Sequence, residues 1–192
     1  MNILYIFGLS AGILSAVCYI PYIRDVLSGS TRPERASWFI WSILGSIAFF
    51  SQLNKGATDS LWLTAVQTIG VTVVFLLALQ RGTGGLNRRD IYSLIVAGFG
   101  LLLWYFTNNA IYALILVIIV DCAGAILTLL KAYEDPKSET LITWLLAGIA
   151  GIFAMASVGT WNIELLAYPI YIAVINLAVV GAMILGRRKN HG

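Results

Sequence analysis

Charged residues are scarce in this chain of 192 residues. They make up 11% of the sequence, against roughly a quarter of an ordinary soluble domain, while apolar residues make up 59%. A water-soluble core cannot absorb that ratio, so the composition excludes an ordinary soluble domain. The net charge of +3 is small. We attribute it to membrane topology and expect no nucleic-acid partner.

Histidine and cysteine are also scarce, and this excludes several kinds of chemistry. The one histidine, His191, lies in the C-terminal tail, and the two cysteines, Cys18 and Cys122, lie inside apolar segments. Neither a disulfide framework nor a C-x-x-C metal site fits this pattern, so we expect no metal and no cofactor. Residues 165–186 contain no lysine for a retinal Schiff base. The apolar segments also lack the paired catalytic groups of an intramembrane protease, so we do not expect an enzyme.

Long apolar runs, in contrast, are abundant. Seven of them approach the length of about 20 residues that crosses the hydrocarbon core of a bilayer. The predicted spans are residues 3–24, 36–53, 60–80, 91–108, 110–130, 141–158 and 165–186. The first has no basic segment before it and no A-x-A cleavage pattern, so we expect it to be retained. The sequence therefore predicts an all-α, polytopic protein with seven transmembrane helices in a lipid bilayer.

The basic residues fall almost entirely on one side of these spans. Of the twelve Lys and Arg residues, eleven lie between spans one and two, three and four, five and six, or after the last span, and Lys55 alone lies opposite. Short loops rich in Lys and Arg stay in the cytoplasm. This asymmetry predicts a multi-pass protein of the cell membrane with its N-terminus outside and its C-terminus cytoplasmic.

The chain also resembles itself at an offset of 106 residues. The aligned pairs are Trp38 with Trp144, Gly45 with Gly151, Ser37 with Thr143 and Ser51 with Ser157. In both stretches a polar loop leads into a helix that begins with tryptophan and carries glycine one or two turns later. This pattern predicts a three-helix unit used twice. Chance similarity between apolar helices is the alternative interpretation.

A two-copy organisation divides the chain into four parts. We interpret residues 1–82 as the first repeat, 83–109 as a linker helix, 110–187 as the second repeat and 188–192 as a cytoplasmic tail. The linker helix makes the two repeats parallel. Parallel repeats occur in transporters that bind their substrate near the midplane of the membrane.

The loop after the first span resembles a known signature. Pro21 lies late in that span and precedes a basic, hydroxyl-rich loop that leads to Ser37 and Trp38. This arrangement, with the 3+1+3 layout, resembles the PQ-loop superfamily, which includes the SWEET (MtN3-like) sugar transporters. Tyr22 replaces the glutamine of the motif, and Leu127 replaces the proline in the second copy. The resemblance implies a transporter of a small polar, sugar-like solute.

A second resemblance concerns the tryptophans. Trp38-x-x-Trp41 is similar to the paired tryptophans of PnuC vitamin transporters, which share this layout, and it implies a pyridine-like or thiamine-like cargo. Tryptophan is also enriched at membrane interfaces. We therefore interpret Trp38 mainly as an interfacial residue and carry Trp41, one turn deeper, into the candidate solute site.

Asp121 is the strongest candidate for a functional residue, because it is a carboxylate near the centre of the fifth span. A charge at that depth costs at least ~2.5–3.5 kcal/mol, so such a residue is usually neutral, paired or in contact with water. With no Lys or Arg at similar depth in a span, we expect a hydrogen bond to a hydroxyl. Asp121 then binds a proton, a cation or a donor on the solute. The alternative is a protonated aspartate that bridges two helices.

Four further residues complete the predicted site. Asn176 lies at a comparable depth in the seventh span, where the SWEET resemblance implies a pocket-lining asparagine, and Gln67 is its counterpart in the first copy. Hydrogen bonding between helices is the alternative role for such amides. Ser15 aligns with Asp121 at the 106-residue offset, and Tyr19 lies on the same helical stripe as Ser15.

Pro21 is the predicted hinge, because a proline past the middle of a helix leaves a backbone carbonyl without its donor and favours a kink. The sequence thus predicts a uniporter or proton-linked transporter that moves a small-molecule solute by alternating access and has the potential to form a homo-oligomer. The alternatives are a receptor or scaffold with a SWEET-like fold, as the KDEL receptor illustrates, and a PnuC-like vitamin or nucleoside facilitator.

Overall fold

The computed structural model describes residues 3–54, 61–85, 87–107 and 110–189. Within these ranges the chain forms eight α-helices and one 3₁₀ turn, Pro136–Ser138. The helices are α1 Ile3–Val17, α2 Tyr19–Ser28, α3 Arg35–Asn54, α4 Leu61–Arg81, α5 Arg88–Phe106, α6 Ala110–Glu134, α7 Leu141–Val158 and α8 Ile163–Lys189. The described residues form no strand beyond an isolated bridge between Glu34 and Thr83. Lys55 and His191 lie outside the described residues.

Every predicted span coincides with helical structure. The predicted spans from residue 36 onward each match one helix, in order from α3 to α8, with identical ends for α7 and ends within a few residues for the others. The first span is longer than predicted and is divided into α1 and α2. At the other end of the chain, α8 continues to Lys189, so the first residues of the predicted tail extend the last helix.

The interruption between α1 and α2 lies at Cys18, three residues before Pro21. Pro21 has no N–H to donate to the carbonyl of Val17, one helical turn earlier, and this omission weakens the helix at that point. The hydroxyl of Thr143 on α7 donates to the Cys18 carbonyl at 3.0 Å. Cys18 keeps helical backbone angles, and its N–H donates to the Leu14 carbonyl at 3.0 Å, so the irregularity is confined to one turn, where a neighbouring helix contacts the chain.

Five described helical segments are long and apolar enough to cross a bilayer. They are Ile3–Ser28, Arg88–Phe106, Leu114–Glu134, Leu141–Val158 and Leu165–Lys189, and two shorter apolar segments are Arg35–Phe50 and Ala65–Arg81. Large apolar side chains cover the outer surface: Ile69, Ile95 and Phe99 are 62%, 61% and 62% exposed. Water-soluble monomers rarely expose apolar surface on this scale. The all-helical fold is consistent with a polytopic helical membrane protein.

Small residues allow the closest helix contacts. A Cβ atom on Gly151 of α7 would lie 2.6 Å from the backbone nitrogen of Ala173 on α8, and one on Gly45 of α3 would lie 3.2 Å from the Thr68 hydroxyl on α4. Beyond these pairs, α1 packs against α7, α3 against α6, and α5 against α6. Close backbone approach at glycine is the usual basis of helix association where lipid supplies no hydrophobic driving force.

Two buried hydroxyls connect the N-terminal and C-terminal halves of the bundle. Ser37 Oγ on α3 donates to the Gly124 carbonyl on α6 at 2.6 Å, and Thr143 on α7 donates to the Cys18 carbonyl. The two donors are 106 positions apart in the sequence, and so are the two acceptors. Each half therefore donates one hydroxyl hydrogen bond to the other half, and the two bonds are related by the same 106-residue offset.

We expect Gly151→Ala to destabilise the fold by about 1–3 kcal/mol, because the added methyl group meets the backbone of Ala173 and not a movable side chain. The matched control is Gly181→Ala on α8, where an added Cβ meets nothing within 4 Å. The thermal unfolding midpoint of purified protein in detergent should fall for Gly151→Ala and stay unchanged or rise for Gly181→Ala. Equal midpoints for the two variants would contradict the close approach of α7 and α8.

Candidate functional site

A cavity of about 670 Å³ lies between the helices and is lined by residues from all eight of them. It extends from Trp38 and Trp144, near the first turns of α3 and α7, to Trp104 and Leu114, near the opposite ends of α5 and α6. The six residues predicted to bind solute all line it: Asp121, Asn176, Gln67, Tyr19, Ser15 and Trp41. Pro21 is not among the lining residues of the described chain. The structure thus brings together residues from six different helices that sequence reasoning had grouped.

Asp121 has a hydroxyl partner, as expected from its depth in the helix. Tyr171 on α8 donates its hydroxyl to Asp121 Oδ2 at 2.6 Å, which confirms the predicted kind of partner. The Trp41 indole N–H donates to the Asp121 backbone carbonyl at 3.4 Å. Sequence reasoning did not select Tyr171, because its distance of 50 residues from Asp121 carries no signal of their contact.

The amide of Asn176 bonds its own helix. Its Nδ2 atom donates to the Ile172 carbonyl at 2.8 Å, one turn earlier on α8, and the residue is 9% exposed. The alternative role, a hydrogen bond between helices, is therefore not what the described structure shows. Gln67 lies on α4 next to Thr68, whose hydroxyl donates to the Gly45 carbonyl on α3 at 2.9 Å. Both amide residues line the cavity, one from each half of the chain.

Three tryptophans form a cluster at one end of the cavity. The Trp38 ring centroid lies 5.1 Å from that of Trp41 and 6.4 Å from that of Trp144, and Tyr22 packs 4.9 Å from Trp38. Trp38 is only 3% exposed. Its interpretation as an interfacial residue is therefore wrong, because the α3 face that carries it turns toward the other half of the bundle and away from lipid. Trp41 lies on the cavity wall, as predicted.

Beyond this cluster lies the end of the bundle that we term the basic end, formed by residues 29–34, 82–85 and 135–140. Buried polar contacts close it. Lys131 Nζ lies 2.5 Å from Glu139 Oε1, and the Trp144 indole donates to Glu139 Oε2 at 2.9 Å. The Glu139 side chain is fully buried. This ion pair therefore lies under the tryptophan cluster, and it was missed because Lys131 was interpreted only as a topology signal.

Two loops meet at the basic end, one from each half of the chain. The hydroxyls of Thr31 and Thr140 are 2.6 Å apart, and Thr140 also donates to Asp25 Oδ2 at 2.9 Å. Arg32 forms an ion pair with Asp135 at 2.5 Å. Thr31 is 2% exposed and Thr140 is 4% exposed, so the threonine contact is shielded from water, whereas the Arg32–Asp135 pair is half-exposed.

Arginines at the basic end bind the carbonyl groups that terminate helices. Arg35 Nε donates to the Ala78 carbonyl in the last turn of α4 at 2.9 Å, and Arg81 Nη1 donates to the Leu27 carbonyl in the last turn of α2. Helix ends leave such carbonyls without backbone donors, and a cation is favourable there. The basic residues that sequence reasoning used to assign topology therefore also stabilise helix C-termini.

Glu34, at the start of α3, is a buried carboxylate with an unusual environment. It is 5% exposed, and its Oε1 atom has no hydrogen-bond partner among the described residues. A Cβ atom on Gly84 would lie 1.9 Å from that oxygen, so glycine is required beside it. Burial and the neighbouring Asp90 carboxylate raise the pKa of Glu34 to about 7, although Lys131 and Arg35 act in the opposite direction.

No family model, curated protein or solved structure matches this chain. The described residues contain no group of three His, Cys, Asp or Glu side chains placed to hold a metal ion. Inferences about function therefore rest on the cavity and its surroundings.

We expect folding stability to decrease as the pH rises from about 4.5 to about 7, because the folded state retains a proton on Glu34 that the unfolded state has released. The stabilisation is complete below the ordinary pKa of a glutamate and lost above the raised one. Glu34→Gln should flatten this dependence of the unfolding midpoint. Glu134→Gln, at an exposed ion pair with Arg89, is the control and should keep the wild-type slope. An unchanged slope in Glu34→Gln would rule out Glu34 as the source.

Proposed function

We propose that this chain is a membrane transporter that moves a small polar solute by alternating access through the central cavity, as a uniporter or with a coupled proton. The cavity itself carries this proposal. It is large enough for a small organic molecule, it contains a carboxylate on α6, and it is closed at the basic end by Tyr22, Trp38 and Trp144 together with the Lys131–Glu139 pair. A scaffold protein has no need for such a space.

In this proposal seven spans form two parallel repeats, with α1 and α2 together as the first span and α5 as the linker helix. The reciprocal hydrogen bonds support it, since Ser37 and Thr143 donate to acceptors that are related by the same 106-residue offset. Helix packing supports it as well: α3 packs against α4 as α7 packs against α8. The solute site then lies at the interface of the repeats, as in other transporters of parallel design.

In this proposal the protein lies in the cell membrane with the basic end in the cytoplasm and the N-terminus outside, and the distribution of basic residues supports this orientation. The conformation described here then has its cavity closed toward the cytoplasm. Access from that side requires the loops at residues 29–34 and 135–140 to separate. Because these loops belong to different repeats, rocking of one repeat against the other would achieve it.

Pro21 is the hinge in this proposal. The irregular turn at Cys18 lies between Ser15 on the cavity wall and the closed end, and Tyr22, next to Pro21, is completely buried against Trp38 and Trp144. A change of helix direction at the turn between α1 and α2 would withdraw Tyr22 from the tryptophan cluster. That movement would open one side of the basic end without unfolding any helix.

The other candidates are a receptor or scaffold with a SWEET-like fold and a PnuC-like vitamin or nucleoside facilitator. A midplane without a cavity would favour a scaffold, whereas a cavity that reaches Asp121 favours transport. The edge-to-face rings of Trp38 and Trp41 at the cavity keep a planar, vitamin-like cargo as the second candidate, beside the sugar-like solute that the SWEET resemblance implies.

Uptake into proteoliposomes of a panel of sugars, nucleosides, amino acids and small amines, at two pH values, tests the proposal. We expect at least one solute to enter above the level of empty liposomes and Asp121→Asn to reduce that uptake by about tenfold or more, because the variant removes the carboxylate from the cavity. Glu134→Gln, on the exposed surface, should transport normally. Binding of a solute without flux would instead favour the receptor.

Alternating access predicts that fixing the basic end stops transport. The Thr31 and Thr140 hydroxyls are 2.6 Å apart, so cysteines at both positions are within reach of a disulfide. With Cys18 and Cys122 replaced by serine, the Thr31→Cys/Thr140→Cys variant should lose uptake on oxidation and regain it on reduction. Each single variant should be insensitive to oxidant. Undiminished uptake in the fully cross-linked protein would contradict the proposed movement.

A further inference from the structure

Several of the hydrogen-bond donors that line the cavity are occupied by the protein itself. The Thr68 hydroxyl donates to the Gly45 carbonyl, the Thr143 hydroxyl to the Cys18 carbonyl and the Asn176 amide to the Ile172 carbonyl. Each of these side chains keeps oxygen lone pairs with which it can still accept a hydrogen bond. The two threonines therefore present acceptors to a solute, while the Asn176 amide presents its oxygen and its second N–H.

Three of the four lining tryptophans, Trp38, Trp41 and Trp144, follow the same rule. Their indole N–H groups donate to the Asp121 backbone carbonyl from Trp41, to the Tyr22 hydroxyl from Trp38 and to the Glu139 carboxylate from Trp144. An indole has no second donor. These residues still offer a solute the face of the indole ring, which is negative and attracts cations.

The formal charge of the lining points in the same direction. Asp121 is the one ionisable carboxylate on the cavity wall, and the described lining includes no Lys, Arg or His. An anionic solute would find no counter-charge among these described lining residues. The Tyr171 hydroxyl occupies one Asp121 oxygen, and a carboxylate accepts about four hydrogen bonds in all, so the group retains capacity for a donor on the solute.

We propose that the transported solute is a small organic cation, whose ammonium group is bound between the Asp121 carboxylate and the Trp41 ring. This inference rests on the proposed function and deepens it. Trp41 lies within reach because its indole nitrogen is 3.4 Å from the Asp121 backbone carbonyl, and the Trp144 ring centroid is 6.1 Å from that of Trp41. A cation also neutralises the buried carboxylate, which otherwise has no positive partner in the described cavity wall.

A neutral sugar fits this lining less well. Its hydroxyls could use the Ser15, Tyr19 and Gln67 side chains, but none of these contacts would bring a positive charge to the Asp121 carboxylate. A buried polar group on the solute that loses its hydrogen bonds to water costs free energy unless the site replaces them. An ammonium group needs only acceptors and aromatic faces, which the cavity supplies.

The test uses two probes of almost identical shape, choline and its uncharged isostere 3,3-dimethyl-1-butanol, in which carbon replaces the charged nitrogen. Binding to purified protein is measured calorimetrically, and uptake of labelled choline and labelled glucose is measured in proteoliposomes. We expect choline to bind at least about tenfold more tightly than the isostere. Asp121→Asn should abolish that preference, and Trp41→Leu should reduce it several-fold.

Two controls keep the result interpretable. Trp41→Phe retains an aromatic face and should preserve most of the preference, which a loss of packing alone would not explain. Unfolding midpoints show whether each variant is folded, and the comparison of the two probes on the wild-type chain does not depend on any variant.

Failure of this inference and failure of the proposed function give different results. If glucose enters the liposomes and choline neither binds better than its isostere nor competes with glucose, the cation assignment is wrong and transport stands. If choline binds with the expected preference but neither labelled solute enters, the cation site stands and transport is wrong. Equal affinity of the two probes in the wild-type chain would overturn the assignment in either case.

Discussion

Two hydrogen bonds from side-chain hydroxyls to main-chain carbonyls determine how the halves of this bundle meet. In hydrocarbon a polar group has no water with which to form a hydrogen bond. A donor such as Ser37 or Thr143 must therefore bond a protein acceptor, and the position of that acceptor fixes the rotation of the donor's helix. The bond from Ser37 to Gly124 holds α3 against α6. The bond from Thr143 holds α7 against Cys18, at the turn between α1 and α2. Together they place Trp38 and Trp144, in the first turns of α3 and α7, next to each other at the basic end of the cavity.

Much of the architecture was accessible from the sequence, because the bilayer fixes the length of an apolar helix and the loops between helices carry the polar residues. α7 begins and ends at its predicted residues, Leu141 and Val158. The candidate site was accessible for a related reason. A polar residue such as Asp121 or Asn176 in an apolar segment is costly if it faces lipid, so it faces the interior. Helical spacing from such residues then indicates which neighbours share that interior.

The pairings between helices were not accessible. A helix that is apolar on every side has no periodic signal that fixes its rotation, so nothing in the sequence indicated that Tyr171 would reach Asp121 or that Trp38 would turn away from lipid. The roles of the charged residues at the helix ends were predicted incompletely, for another reason. Lys131 and Arg81 were counted as charges on one side of a membrane, yet each also binds a specific partner, a buried carboxylate in one case and helix-terminal carbonyls in the other.

The use of main-chain carbonyls as acceptors has a consequence for how such a protein can evolve. A carbonyl is present whatever the side chain, so Cys18 and Gly124 accept equivalent bonds although their side chains have nothing in common. Only the hydroxyl donors are constrained, and serine and threonine both satisfy that constraint, as Ser37 and Thr143 do. The contact between the N-terminal and C-terminal halves can therefore survive while most residue identities in both change, as long as a hydroxyl stays at each donor position.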